Sequence, residues 1–233
     1  MAPVVAFIYA HPDDESFGSA CLIRSLADRG IRSVLLCATR GDAGRPGPLG
    51  PMTPEQLAAA REIELQTACD LLGVSTVKHL GLPDGKLAGM DRLALADAVA
   101  DFLNETGATV VVTFPEDGIS GHPDHIAIHH AVNEAVFGGR CPHVQKYYYN
   151  LPFNRDMAEA TSVVRLETTP YWKVKAEALL AHRSQRFSVE KAFGGSETLR
   201  ESTEFPYESF GLVWLRGEKN PVRNEESVLD DLI

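Results

Sequence analysis

Five short apolar runs in the first 150 residues alternate with four stretches of helical periodicity, and few patterns restrict a fold more. The opening run, residues 4–9, contains no charged residue, as a strand covered on both faces of a parallel sheet requires. Further strands are predicted at 33–39, 76–80, 109–114 and 144–149, and helices around 22–27 and over 53–72, 91–105 and 126–136. Local chemistry marks several boundaries. Gly30 stands where a left-handed cap would end the first helix. Thr53, Pro54 and Gln56 form a capping-box start, and Gly73 supplies the matching stop.

The alternation predicts an α/β fold, a Rossmann-like parallel sheet with helices on both faces. Strands at 162–167 and 210–216 flanking a helix over 170–182 add a small C-terminal β/α extension. One domain is expected over 1–233, with a core over 1–150, an extension over 151–216 and a charged tail from Gly217 that frays.

Two clusters follow predicted strands: His11, Asp13, Asp14 and Glu15 in HPDDE, and His122, Asp124 and His125 in HPDH. In the strand order 3-2-1-4-5, the first and fourth strands are neighbours at the crevice where the order reverses, and ligands bind beyond their carboxyl ends. Clusters more than 100 positions apart would meet there. Imidazoles and carboxylates are the ligand set of a zinc ion, with ferrous iron an alternative, and three protein ligands leave a position open for water. Spacing lets Asp14 fold back beside His11, and Asp13 then remains as a carboxylate to activate the attacking metal-bound water. His122 and His125 share the same spacing of three. One can bind metal while the other stabilises an oxyanion or protonates a leaving amine, with Asp124 orienting it.

HPDDE after the first strand and GHPDH after the fourth resemble the LmbE-like, or PIG-L, zinc-dependent deacetylases, which remove N-acetyl groups from N-acetylglucosamine-type substrates. That resemblance gives the metal to His11, Asp14 and His125, and leaves His122 to the oxyanion or amine. Weaker likeness covers roughly positions 3–186, through TRGDAG near Thr39, Arg61 with Glu64, GLPDG around Asp84 and HRSQ at His182. It implies that Arg61 and Asp84 contact the sugar or its substituent. One departure is Ser120, two positions before HPDH, where the mycothiol-pathway branch has tyrosine.

Each residue also has a plainer reading. The acidic residues of HPDDE could complement a helix dipole, Arg61 and Glu64 could form a surface ion pair, and Asp84 in PDG could be a turn residue. His129 is read as structural, since HExxH is absent, and His79, His130 and His143 as surface or hydrogen-bonded side chains. His182 is an even choice.

The net charge of -10, from 32 acidic and 22 basic residues, argues against nucleic acid as a partner. The apolar start lacks a basic leader, and no run suits a membrane span, so a cytoplasmic enzyme is expected, with a homo-oligomer left open. Cys21, Cys37, Cys69 and Cys141 form no CxxC pair and are read as buried thiols. The function expected is metal-dependent hydrolysis of an N-acyl glucosamine. The alternatives are a phosphoesterase using the same ligands, or a noncatalytic Rossmann-like binding protein, although HPDDESFG in place of GxGxxG would repel a pyrophosphate.

Overall fold

The computed structural model describes residues 2–151, 162–194, 199 and 206–233. Strands β1 (Val4–Tyr9), β2 (Arg32–Thr39), β3 (Thr76–Leu82), β4 (Val110–Thr113) and β5 (Lys146–Leu151) are parallel neighbours in the order β3-β2-β1-β4-β5, as the sequence pattern predicts. The central strands are buried nearly end to end, which is why their sequences are apolar runs and not alternations.

Helices α1 (Asp14–Gly18), α2 (Ala20–Asp28), α3 (Pro54–Leu72), α4 (Arg92–Thr106) and α5 (Pro123–Phe137) connect the strands. The Thr53 capping box is present in both directions, and Gly73 ends α3 at φ 87°, a left-handed conformation that favours glycine. Helices α2 and α3 pack against one another, and α4 packs on α5. The crossovers run in opposite directions from β1, so right-handed connections place these two layers on opposite faces of the sheet.

The C-terminal half continues with β6 (Val163–Glu167), α6 (Trp172–Ala181), α7 (Arg186–Phe193), β7 (Tyr207–Leu215) and β8 (Glu218–Lys219). Strand β7 inserts antiparallel between β5 and β6, and β8 pairs with β7. Helix α6 joins the α2–α3 layer. The helix predicted over 170–182 is therefore shorter, and α7 is an additional element. Within the expected extension over 151–216, residues 152–161, 195–198 and 200–205 lie outside the described residues.

The tail from Gly217 does not fray as expected. Val228 and Leu229 are buried at 1% and 0% exposure and belong to the same apolar cluster as β1. Glu225 reaches the buried Lys146 Nζ at 2.6 Å and accepts a hydrogen bond from Tyr148, fastening the tail across β5. All four cysteines are buried and free. Among the described residues, no helix is long and apolar enough to cross a membrane.

Candidate active site

The two histidine–aspartate clusters meet beyond the carboxyl ends of β1 and β4, at the point where the strand order reverses. The chain leaves β1 through Ala10 and enters α1 at Asp14, with Asp13 as the N-terminal cap at φ 129°. An L-residue held in that region stores backbone strain, which persists only where surrounding contacts enforce it. Here they do. The Asp13 N–H donates to Glu15 Oε2 at 3.1 Å, and Ser16 and Phe17 N–H donate to the Asp13 carbonyl.

Across the crevice, α5 begins at Pro123 with His122 as its cap, three residues before the predicted start. The first turn thus carries Asp124 and His125 inward. The His125 ring stacks on Phe114 with centroids 4.0 Å apart and planes 7° from parallel. Its Nδ1 hydrogen donates to Gly118 O at 2.9 Å, which leaves the Nε2 lone pair directed at the crevice. His11 is held in the opposite sense. Its Nε2 lies 3.0 Å from Asp84 Oδ1 and 3.3 Å from Asp124 Oδ2, which frees Nδ1.

His11 Nδ1 and His125 Nε2 face one another at 3.1 Å, and the Asp14 carboxylate closes the triangle at 3.6 Å from the first and 3.3 Å from the second. Ligand atoms bound tetrahedrally to one zinc ion at the usual bond lengths stand ~3.3–3.5 Å apart. The two imidazole nitrogens and the Asp14 carboxylate, through Oδ2 toward His11 and Oδ1 toward His125, stand at about that spacing. Two trios, His11 with His122 and His125, and His11 with Asp84 and Asp124, bring single ligand atoms within 4.8 Å of one another. The second trio is committed elsewhere: Asp84 Oδ2 accepts from Ala43 N–H, and Asp124 accepts from Gly85 and Leu87 N–H at 2.7 and 3.0 Å.

The charge pattern suits a cation. Burial alone would lower the His11 pKa, but hydrogen bonds to Asp124, Asp14 and Asp84 outweigh it and raise it to about 12. Burial works against ionised Asp14, yet His125 and His11 hold its carboxyl well below the ordinary range. Asp13 differs: burial, opposed by Arg61 and aided by Asp14, pushes it up to about 6, the range in which a carboxylate is an effective general base near neutrality. His122 is lowered, by burial first and then by His11 and His125, and stays neutral.

All the predicted site residues except Asp124 line one cavity of about 580 Å³, together with Ala43, Gly44, Ser120 and Gln185. Asp124 lies beneath it, fully buried behind His11. The expectation that Asp124 orients His122 is corrected: its carboxylate serves His11 and two backbone amides, while its own N–H donates to His122 Nδ1 at 3.2 Å. Asp84, expected to face the sugar, has both oxygens engaged by His11 and Ala43.

Arg61 and Glu64 are not a surface ion pair; both are buried and turn to different partners. Arg61 donates to Pro12 O and to Gly41 O at 3.2 Å, and lies 3.4 Å from Asp13 Oδ2. Glu64 accepts from the Ser184 amide and hydroxyl at 2.8 and 2.6 Å. His129 is structural, bonded to Phe114 O and Asn133.

Sequence alone assigns Glu15 no role beyond membership of the HPDDE cluster and the helix dipole. Its carboxylate bridges the Asp13 amide to His182 Nε2 at 2.8 Å, and both side chains are buried. The signal was available in HPDDE, but its partner is 167 positions away.

A family model described as PIG-L, GlcNAc-PI de-N-acetylase, matches residues 6–136. The chain is 35% identical over 159 residues to a 1D-myo-inositol 2-acetamido-2-deoxy-alpha-D-glucopyranoside deacetylase of Kineococcus radiotolerans, a match spanning 57% of this chain and 44% of that protein. It is 32% identical over 186 residues to a probable N-acetyl-alpha-D-glucosaminyl L-malate deacetylase 2 of Bacillus cereus, covering 78% of this chain and 83% of that one. The fold superposes on N,N'-diacetylchitobiose deacetylase from Pyrococcus horikoshii with a TM-score of 0.70 at 20% identity, over 93% of this chain and 85% of that one.

Proposed function

The chain belongs to the GlcNAc-PI de-N-acetylase (PIG-L) family, and from that premise we propose that it is a zinc-dependent N-deacylase hydrolysing the amide of an N-acylated glucosamine conjugate. The observation that carries this reading is the convergence of His11 Nδ1, His125 Nε2 and the Asp14 carboxylate, with the Asp13 carboxylate left over beside them. Support for the amino sugar comes from the Kineococcus and Bacillus relatives, whose names place the amide on glucosamine linked to inositol or malate.

His11, Asp14 and His125 would hold the ion, zinc or ferrous iron. A bound ion of this kind supplies Lewis acidity toward a carbonyl oxygen and lowers the pKa of water. The remaining work falls to the protein. Asp13, raised toward neutrality and fixed by Glu15, accepts a proton from water as the oxygen attacks the acyl carbon. His122, neutral and on the cavity wall, donates a hydrogen bond to the developing oxyanion, and the proton taken up by Asp13 passes to the amine as the C–N bond breaks. Asp124 and Asp84 keep His11 in the tautomer that exposes Nδ1. Arg61, between the Asp13 side chain and the 41–44 turn, orients the base and borders the space for the sugar.

A phosphoesterase is less well supported. Among the described residues lining the cavity Arg61 is the lone lysine or arginine, and its two terminal nitrogens are already engaged by Pro12, Gly41 and Asp13. The test is release of primary amine from N-acetylglucosaminyl inositol, N-acetylglucosaminyl malate and N,N'-diacetylchitobiose, with 4-nitrophenyl phosphate as the contrast. Zinc-loaded wild type is expected to release amine, and Asp13→Asn to keep its zinc while losing ~10²–10⁴ in turnover. Phosphate release without amine release, or full activity in Asp13→Asn, would overturn the reading.

A further inference from the structure

The metal-ligand triangle has a second space beside it. A recess of about 190 Å³ shares Asp14, Phe17, Ser120 and His125 with the main cavity, and is otherwise walled by Tyr9, Phe114, Ile119 and Leu151 with Gly18 and Asn150. The polar atoms of Tyr9, Gly18 and Asn150 are engaged: Asn150 Nδ2 donates to Gly18 O at 2.6 Å and to Tyr9 Oη at 3.2 Å, and Tyr9 Oη meets Ser19 Oγ at 2.5 Å. What faces the recess is therefore chiefly aromatic and aliphatic carbon.

The main cavity is different in kind. Asp13, Arg61, Asp84 and Gln185 border it and do not border the recess. A larger space bordered by charged and amide side chains and a small apolar one thus flank the same two residues, Asp14 and His125. An amide whose carbonyl lies at those ligands has two substituents, and the two spaces differ as an amino sugar differs from an acyl chain.

We infer that the recess is an acyl subsite and that the amide hydrolysed carries an acyl group longer than acetyl. A dry cavity of about 150 Å³ lined by leucine, isoleucine and phenylalanine takes up a benzene molecule, so the recess holds a chain of roughly four to six carbons, where acetyl would leave most of it empty. The inference rests on the amide-hydrolase reading. In the reaction, the oxygen of water forms the new bond to the acyl carbon, the C–N bond breaks, and the released proton leaves with the amine. The products are a short-chain carboxylate and a free amino sugar.

The subsite can be tested without turnover. Alkyl hydroxamates from acetohydroxamate to octanohydroxamate, titrated calorimetrically into the zinc-loaded protein, are expected to gain about fourfold in affinity per methylene, about 0.8 kcal/mol, until the recess is full near six carbons. Ile119→Phe, which narrows the recess, is expected to remove most of that gain while zinc content stays at one per chain. Affinity that is flat or falls beyond acetyl in the wild type overturns the subsite. Rates on N-acetyl, N-butyryl and N-hexanoyl glucosamine conjugates separate the two readings. Cleavage of the acetyl compound alone removes the acyl inference and leaves the proposed function standing. A rising hydroxamate series with no conjugate cleaved upholds the recess as an acyl site and removes the amino-sugar reading.

Discussion

Replacing Asp124 by asparagine tests how the first histidine is held. Asp124 is fully buried, and its carboxylate makes three contacts: Gly85 N–H at 2.7 Å, Leu87 N–H at 3.0 Å and His11 Nε2 at 3.3 Å. Asparagine keeps one acceptor oxygen and turns an amide donor toward one of these three donors. The His11 ring then loses part of the restraint that aims Nδ1 at His125 and Asp14. Removing such an outer partner of a metal-bound histidine typically costs 10–100-fold in affinity. Asp84 Oδ1 still lies 3.0 Å from the same nitrogen, so the single variant is expected near the lower end, about tenfold. The double variant Asp84→Asn/Asp124→Asn is expected to lose on the order of a hundredfold or more.

Zinc dissociation constants from competition with a fluorescent chelator at pH 7.5 read this directly, and the melting temperature of the metal-free proteins controls for folding. An amide proton left unpaired in the interior costs about 1–3 kcal/mol, or roughly 2–12 °C for a chain of this size. Unchanged zinc affinity in both variants, with lower turnover and a displaced basic limb of the rate profile, would refute the reasoning. Asp124 would then act through His122.

Three further outcomes follow from other contacts. Lys146→Met strands the Glu225 carboxylate, 2.6 Å from Lys146 in a site where both side chains are nearly inaccessible, and is expected to cost about 3–5 kcal/mol; thermal unfolding should show much of that loss recovered in Lys146→Met/Glu225→Leu. His129 is lowered below its ordinary pKa by burial, so it stabilises the fold fully above about pH 6.5 and progressively less as pH falls below that value. His129→Gln is accordingly expected to melt with a shallower pH dependence between pH 8 and 5, and an unaltered slope would sink the assignment. Glu15→Gln weakens the bridge from His182 to the Asp13 amide, and steady-state kinetics are expected to show kcat reduced about tenfold with KM and zinc content retained.

Much of the architecture is written in local patterns. Apolar runs without alternation mark β1, β2 and β4 as central strands, and the Thr53 box and Gly73 mark both ends of α3. Once the strand order follows, the meeting of HPDDE with HPDH follows too. What escaped reading depends on partners far along the chain. Asp124 stands two positions from His122, which suggests a pair, but residues i and i+2 in a helical turn point to different sides, and Asp124 finds His11 across the crevice. The tail is rich in charge and reads as solvated, yet Glu225 has its counter-charge 79 positions earlier on β5. Antiparallel insertion of β7 leaves no local mark either, since a covered strand looks alike in both directions.

The Arg61 guanidinium joins three parts of the molecule: the Pro12 carbonyl after β1, the Gly41 carbonyl after β2 and the side chain of Asp13. A Cβ at Gly41, where φ is 69°, would collide with that guanidinium, and one at Gly44 would lie 2.9 Å from its Nη1. The turn that borders the main cavity and the carboxylate proposed as the base are thus clamped to one cation. Substrate range cannot be re-engineered here by exchanging the loop as a cassette: a graft without glycine at both positions displaces Arg61, and with it the base, so a change meant for recognition registers as a loss of rate.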